Sequence, residues 1–246
     1  MKRLLTLVIL FCIASVCANA ATTIWVPATA NIFGAGQAAP PAVTGWDPIQ
    51  YPGSLPGITP PGLSFNPGPL LVVHVPNMTG SVAYNLTSAL KGADGSSSEA
   101  VSTTVDSAAG IAAVTKTNRI LFLVGVFLTG NAPIAGTEPA GMNADNADNQ
   151  VNFYPQIGQA FFIGDGFTDS RVQQNFYVPA GASRLYLGFE DGMVFTGAPS
   201  WYADNRGGLN ATLSVDSLAG DAPEPATMIM IGLPLIGLWF WRRRRA

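Results

Sequence analysis

Through the middle of the chain, apolar residues come in short runs divided by Gly, Pro and Asn, whereas at both ends they form unbroken stretches. The middle runs are strand-like at residues 22–26, 70–75, 81–86, 120–128, 160–163, 174–178, 184–189 and 209–215. Two of them alternate clearly. Leu185, Leu187 and Phe189 share one face, and Leu209, Ala211, Leu213 and Val215 face away from Asn210, Thr212 and Ser214. No convincing amphipathic helix lies between these runs, so the pattern predicts one all-β domain over 21–221, a β-sandwich or jelly roll. Two stretches break it. Residues 37–69 hold many of the 19 prolines, including Pro40-Pro41 and Pro60-Pro61, and read as a long ordered excursion or an extended linker. Residues 91–110, rich in Ser, Ala, Gly and Asp, read as a mobile surface loop, with alternation over 101–105 admitting a weak edge strand.

The unbroken stretches are addresses. Lys2 and Arg3 precede the apolar run 4–16, and Ala18-Asn19-Ala20 is a small-x-small site. Residues 1–20 are therefore expected to be a secretory signal peptide for Sec export, cut by signal peptidase at Ala18 and Ala20 to leave Ala21 first. A retained N-terminal anchor is the alternative. At the other end Pro223, Glu224 and Pro225 precede residues 226–241, 16 residues without a charge, which stop against Arg242, Arg243, Arg244 and Arg245. This is shorter than the ~20 residues of a full crossing, but Trp239, Trp241 and the arginines can reach the head groups. A single transmembrane helix over 226–241 is expected, with its C-terminus cytoplasmic by the positive-inside bias. A buried core helix is the alternative, opposed by Gly232, Pro234, Gly237 and the four like charges. Residues 222–246 resemble the PEP-CTERM sorting signal of Gram-negative bacteria. That resemblance implies an exosortase that cuts near the Pro-Glu-Pro triplet, a transient stay in the inner membrane, and a final place at the cell surface or in the extracellular matrix.

Removing both signals changes the chemistry that remains. The cysteines, Cys12 and Cys17, both lie in the signal peptide, so the exported domain has neither disulfide nor thiolate. Between residues 21 and 221 six basic residues face fourteen acids, a net charge of −8. So acidic a domain has no footprint for nucleic acid, and suits cations or a neutral polysaccharide. The single histidine, His74, sits in an apolar strand, where a structural role outweighs catalysis. Carboxylates pair in sequence at Asp165/Asp169 and Glu190/Asp191, but a glycosidase needs two carboxylates across a cleft. Phosphate loops, Gly-x-Ser-x-Gly elbows and His-x-x-x-His zinc motifs are absent from the sequence, and the domain reads as non-enzymatic.

One constellation stands out. Glu190 and Asp191 follow the run 184–189, and Trp201-Tyr202-Ala203-Asp204-Asn205-Arg206-Gly207-Gly208 precedes the last run. Calcium takes roughly six to eight oxygens from carboxylates, amides and carbonyls, which Asp191, Asp204 and Asn205 could begin to supply. Turn chemistry alone also accounts for Asp-Asn-Arg-Gly-Gly. The pattern from Gln156-Ile157-Gly158, through 174–181, to Leu213-Ser214-Val215 resembles the C-terminal half of the PA-I galactophilic lectin, a galactose-binding β-sandwich, over residues 118–216. The resemblance implies a calcium held by Asp191, Asp204 and Asn205 with the carbonyl of Trp201, and a further carbonyl near Thr129 or Gly130. It also implies a sugar on that ion beside Asp191, Asn205, Asn143 and Asp145. Asp204 stands where the family has Asn, and the family's sugar-contacting His and Gln have no clear equivalents over 136–150. The expected function is an exported lectin-like protein that binds exopolysaccharide or another glycan through calcium. The alternative is a purely structural surface or biofilm-matrix protein with a structural calcium site.

Overall fold

The computed structural model describes residues 21–68 and 70–217. The expected signal peptide and the sorting segment with its expected helix over 226–241 lie outside these residues. Among the described residues, no helix is long and apolar enough to cross a membrane. The strands are β1 (Thr22–Pro27), β2 (Gly62–Ser64), β3 (Leu71–Ala83), β4 (Thr104–Val105), β5 (Val114–Thr115), β6 (Val124–Leu128) and β7 (Met142–Asn143). They continue with β8 (Asn152–Phe153), β9 (Ala160–Phe162), β10 (Asn175–Tyr177), β11 (Arg184–Gly188), β12 (Thr196–Gly197) and β13 (Arg206–Ser217). Helix among the described residues is confined to four short 3-10 turns.

Two main sheets carry the fold: a five-stranded one in the order β1-β13-β3-β10-β8 and a four-stranded one in the order β2-β11-β6-β9. They share one hydrophobic core, in keeping with the expected all-β sandwich. Alternation sets the faces as read: Leu209, Ala211 and Leu213 are buried, while Asn210, Thr212 and Ser214 turn toward the outer side of β13. A line of phenylalanines crosses between the sheets. Phe127 stacks on Phe161 at 5.2 Å, Phe161 meets Phe176 at 5.6 Å, and Phe176 meets Phe153 at 5.3 Å. Each ring so buried contributes about 1.5–3 kcal/mol relative to exposure.

The runs 70–75 and 81–86 are one strand. β3 continues through Pro76 because its pairing with β13 shifts there, with Thr212 opposite Asn77 and Ser214 opposite His74. The irregularity leaves room for a residue with no N–H to donate. The run 120–128 is strand only in its second half. All five residues of β6 are buried, because the four-stranded sheet is covered on both faces: Phe127 points to the shared core, and on the other side Lys116 and Phe122 lie against Phe162. Residues 91–110 are tied down rather than looping free. Lys91 pairs with Val82, Ser96 with Ile120 and Thr103 with Lys116, and β4 pairs in parallel with β12.

The described part of the Pro-rich stretch, residues 37–68, is an ordered excursion. It holds a 3-10 turn at Pro52–Ser54 and strand β2 against β11. Its backbone bonds into the segment before β13: the Trp201 amide donates to Ser54 O at 3.2 Å and the Tyr202 amide to Leu55 O at 3.2 Å. Gly57 is pinned between Thr29 and Tyr202 with φ +72, where a Cβ would lie 2.3 Å from Thr29 O and 2.6 Å from Tyr202 Cβ. Only glycine fits there.

Candidate functional site

The connection from β11 to β13 leaves the four-stranded sheet and enters the five-stranded one, bringing the two ends of residues 189–205 together. Asp191 follows the strand by three residues. Its amide donates to the Tyr202 hydroxyl at 3.0 Å, and that hydroxyl donates to Phe189 O at 3.2 Å. Tyr202 thereby closes the loop on itself from a fully buried position. Between the ends, Val194 and Phe195 adopt φ of 54 and 58, and Trp201 a φ of 66. Three non-glycine residues in the left-handed region mark a tightly specified loop.

Asp191 is 2 % exposed and Asn205 6 %. Asp191 Oδ1 accepts from the Gly192 amide at 2.7 Å, and Oδ2 accepts from Asn205 Nδ2 at 2.8 Å. The same Asn205 amide nitrogen donates to Ala28 O at 3.2 Å, leaving Asn205 Oδ1 buried without a donor. Asp204 Oδ1 is buried and unpartnered as well. Burial drives the Asp191 carboxyl well above the ordinary range, opposed by its bonds from Asn205 and Gly192 and reinforced by the charge of Asp204. Burial also raises Asp204. The structure thus joins three of the sequence candidates: Asp191 to Asn205 by a direct bond, and Asp191 to Asp204 on the wall of one pocket.

That pocket is about 310 Å³, and Tyr84, Val101, Met193, Phe195 and Trp201 give it an apolar wall beside the two carboxylates. The indole Nε1 of Trp201 is buried without a partner. The Trp201 ring packs edge-on to Trp46 at 5.3 Å and near Tyr51 at 6.2 Å. Trp46 and Tyr51 belong to the Pro-rich excursion and were no part of the sequence constellation. Their aromatic character in a proline-rich stretch was the available signal.

Asn143 and Asp145 stand apart from this group. Asn143 Nδ2 donates to Asp145 Oδ2 at 3.2 Å, the Asp145 amide donates to Asn143 Oδ1 at 2.8 Å, and the Thr117 amide donates to Asp145 Oδ1 at 2.6 Å. Neither lines the pocket at Asp191. These bonds make them a turn and hold the Asp145 carboxyl below its ordinary range, the Thr117 amide having the largest lowering effect.

The other carboxylates divide similarly. Glu190 is sealed inside, with Oε1 accepting from the Val114 amide at 2.8 Å and Oε2 unpartnered, and burial raises it well above the usual value. Asp165 accepts from Arg171 at 3.0 Å and shares a small polar pocket with Asp94, Arg119, Asp148 and Asp169. His74 meets Asp216 at 3.5 Å on the outer side of the larger sheet. Among the described residues, no three His, Cys, Asp or Glu side chains group as metal ligands. Asp191 and Asp204 both line the larger pocket.

Residues 221–245 match the PEP-CTERM protein-sorting motif. The match supports an exosortase substrate carrying an export signal consistent with the cell surface or exterior. No curated protein matches the chain.

Proposed function

We propose that this is an exosortase-processed surface protein whose β11–β13 loop holds calcium through Asp191, Asp204 and Asn205, and that the adjoining pocket receives a glycan. One observation carries the calcium reading. The buried carboxylate of Asp191 shares a pocket wall with that of Asp204, among the described residues neither has a cationic partner, and two buried oxygens there, Asp204 Oδ1 and Asn205 Oδ1, lack donors. Buried acceptors left unpaired cost free energy, and an isolated buried charge costs more. A divalent cation would answer both deficits at once.

The glycan reading rests on the pocket wall. Trp201, Tyr84 and Phe195 offer apolar surface next to Asp204 and Asn85, the mixture of ring face and hydrogen-bonding group that a sugar requires. The depth of Asp191 and Asn205 favours a second reading, in which the ion only fastens the two sheets together and no sugar reaches it.

Calcium titration of the full chain, followed by melting, tests the site. Saturation at about one hundred times Kd is expected to raise the melting temperature by roughly 5–10 °C. Asp204→Asn should reduce that shift sharply, and Asp191→Asn should abolish it. A shift unchanged in both variants would overturn the site. Glycan-array retention with calcium, lost with chelator, separates the lectin reading from the fastening one. A calcium-stabilised protein that binds no sugar leaves the fastening role alone.

A further inference from the structure

The outer side of the larger sheet carries a feature unrelated to the β11–β13 pocket. β8 and β10 pair in parallel, with Asn152 opposite Asn175 and Phe153 opposite Phe176. The next residue pair in this register is Tyr154 and Tyr177. The two phenylalanines turn into the core, so the alternation of strand side chains puts the asparagines and tyrosines on the other face. Asn175 Nδ2 donates to Asn152 Oδ1 at 2.8 Å, and the tyrosine rings stack with centroids 4.5 Å apart and planes 13° from parallel. Tyr154 is 68 % exposed.

Among the described residues no other phenol stacks on a phenol. Tyr51 packs on Trp46 and Trp201, Tyr84 on Phe195, Tyr186 lies beneath Arg184, and Tyr202 is sealed inside. The Tyr154 phenol is raised above its ordinary value, first by lost solvation and then by its neighbour Tyr177. The exported domain has no cysteine, so any covalent cross-link formed by side-chain oxidation must use other chemistry.

We propose that Tyr154 and Tyr177 are a covalent modification site, coupled to dityrosine by a peroxidase-class oxidant with hydrogen peroxide. Each phenol loses its hydroxyl hydrogen as a proton and an electron. The resulting phenoxyl radicals carry spin on the ring carbons ortho to oxygen, and stacking at 4.5 Å between centroids already holds the two rings face to face. One bond forms between Cε atoms, the two ring hydrogens there leave as protons, and the phenolic oxygens are reprotonated. The protein loses two hydrogen atoms in all, and hydrogen peroxide is reduced to two waters. The product ties the edge strand β8 to β10 and closes the chain between residues 154 and 177.

The test treats the full chain, purified in detergent, with peroxidase and hydrogen peroxide. The expected result is blue dityrosine fluorescence growing at a rate independent of protein dilution. It comes with a monomer lighter by two hydrogens and a proteolytic fragment that joins the Tyr154 and Tyr177 peptides. Tyr177→Phe keeps the stacked ring but not the phenol, and should lose the joined fragment while its circular dichroism stays unchanged. The coupled monomer should melt roughly 5–10 °C higher. Dityrosine found only in covalent dimers, a monomer signal that survives Tyr177→Phe, or no gain in melting temperature would overturn the proposal.

Discussion

Asp94 shows how a single side chain links position to pH. Its Oδ1 accepts from the Asp165 amide at 2.9 Å, and it lies in the small pocket with Asp148, Asp165 and Asp169. Burial raises its carboxyl above 3.8, the Asp165 amide bond opposes this, and the Asp165 charge adds to it. A carboxyl that binds its proton more tightly folded than unfolded supports the fold below its ordinary range, and loses that support as pH climbs through the folded value. Asp94→Asn keeps an oxygen for the Asp165 amide and removes the charge. Melting curves over a pH series should show the variant at least as stable as the parent at neutral pH, with the difference vanishing in acid. A variant less stable at neutral pH would contradict this account. At the same scale, Asp204 and Asn205 were legible as oxygen donors from residue type alone, whereas the missing donors for their oxygens were not, because an orphaned atom is defined by its neighbours.

At the scale of elements, the Pro-rich excursion matters most. Its attachment rests on Trp46, whose ring meets Tyr51 at 5.4 Å and Trp201 at 5.3 Å, both edge-on. Aromatic pairs of this kind add about 0.5–1.5 kcal/mol each beyond area burial, so Trp46→Ala should weaken the docking by roughly 1–3 kcal/mol. Limited proteolysis within residues 37–57 should then proceed faster, and the calcium-induced melting shift proposed for Asp191 and Asp204 should shrink, since the excursion leans on Trp201 and, at Gly53, on Asp204. An unchanged cleavage rate would show that the backbone bonds to Ser54 and Leu55 suffice. Prolines and glycines told where regular structure stops but not what the excursion touches. Strands β11 and β13 were readable because each buries one face. The alternation over 101–105 admitted β4 as an edge strand, whereas the two-residue strands β5, β7, β8 and β12 were not readable, since two residues cannot display a period.

At the scale of the whole molecule, the sorting motif at residues 221–245 marks the chain as an exosortase substrate. Replacing Pro223, Glu224 and Pro225 by alanine should leave an unprocessed form in the membrane fraction, detected as a larger band on immunoblotting, while the domain's melting behaviour stays the same. Equal processing of that variant would remove the triplet as the recognition element. The two parts do not overlap: the sorting motif covers residues 221–245, and the core that joins the two sheets lies within residues 21–217.

The sequence by itself determined the sorting motif, the all-β class, the lack of cysteine over residues 21–221 and the acidic balance there, because each depends on composition or on local period. Only the tertiary structure decided which residues meet. It brought Asp191 to Asn205 through the change of sheet between β11 and β13, set Trp46 on Trp201 across the chain, left Asn143 and Asp145 in a turn of their own, and stacked Tyr154 on Tyr177. Those are long-range contacts, and long-range contacts follow from how the strands are ordered in the sheets, which no local pattern records.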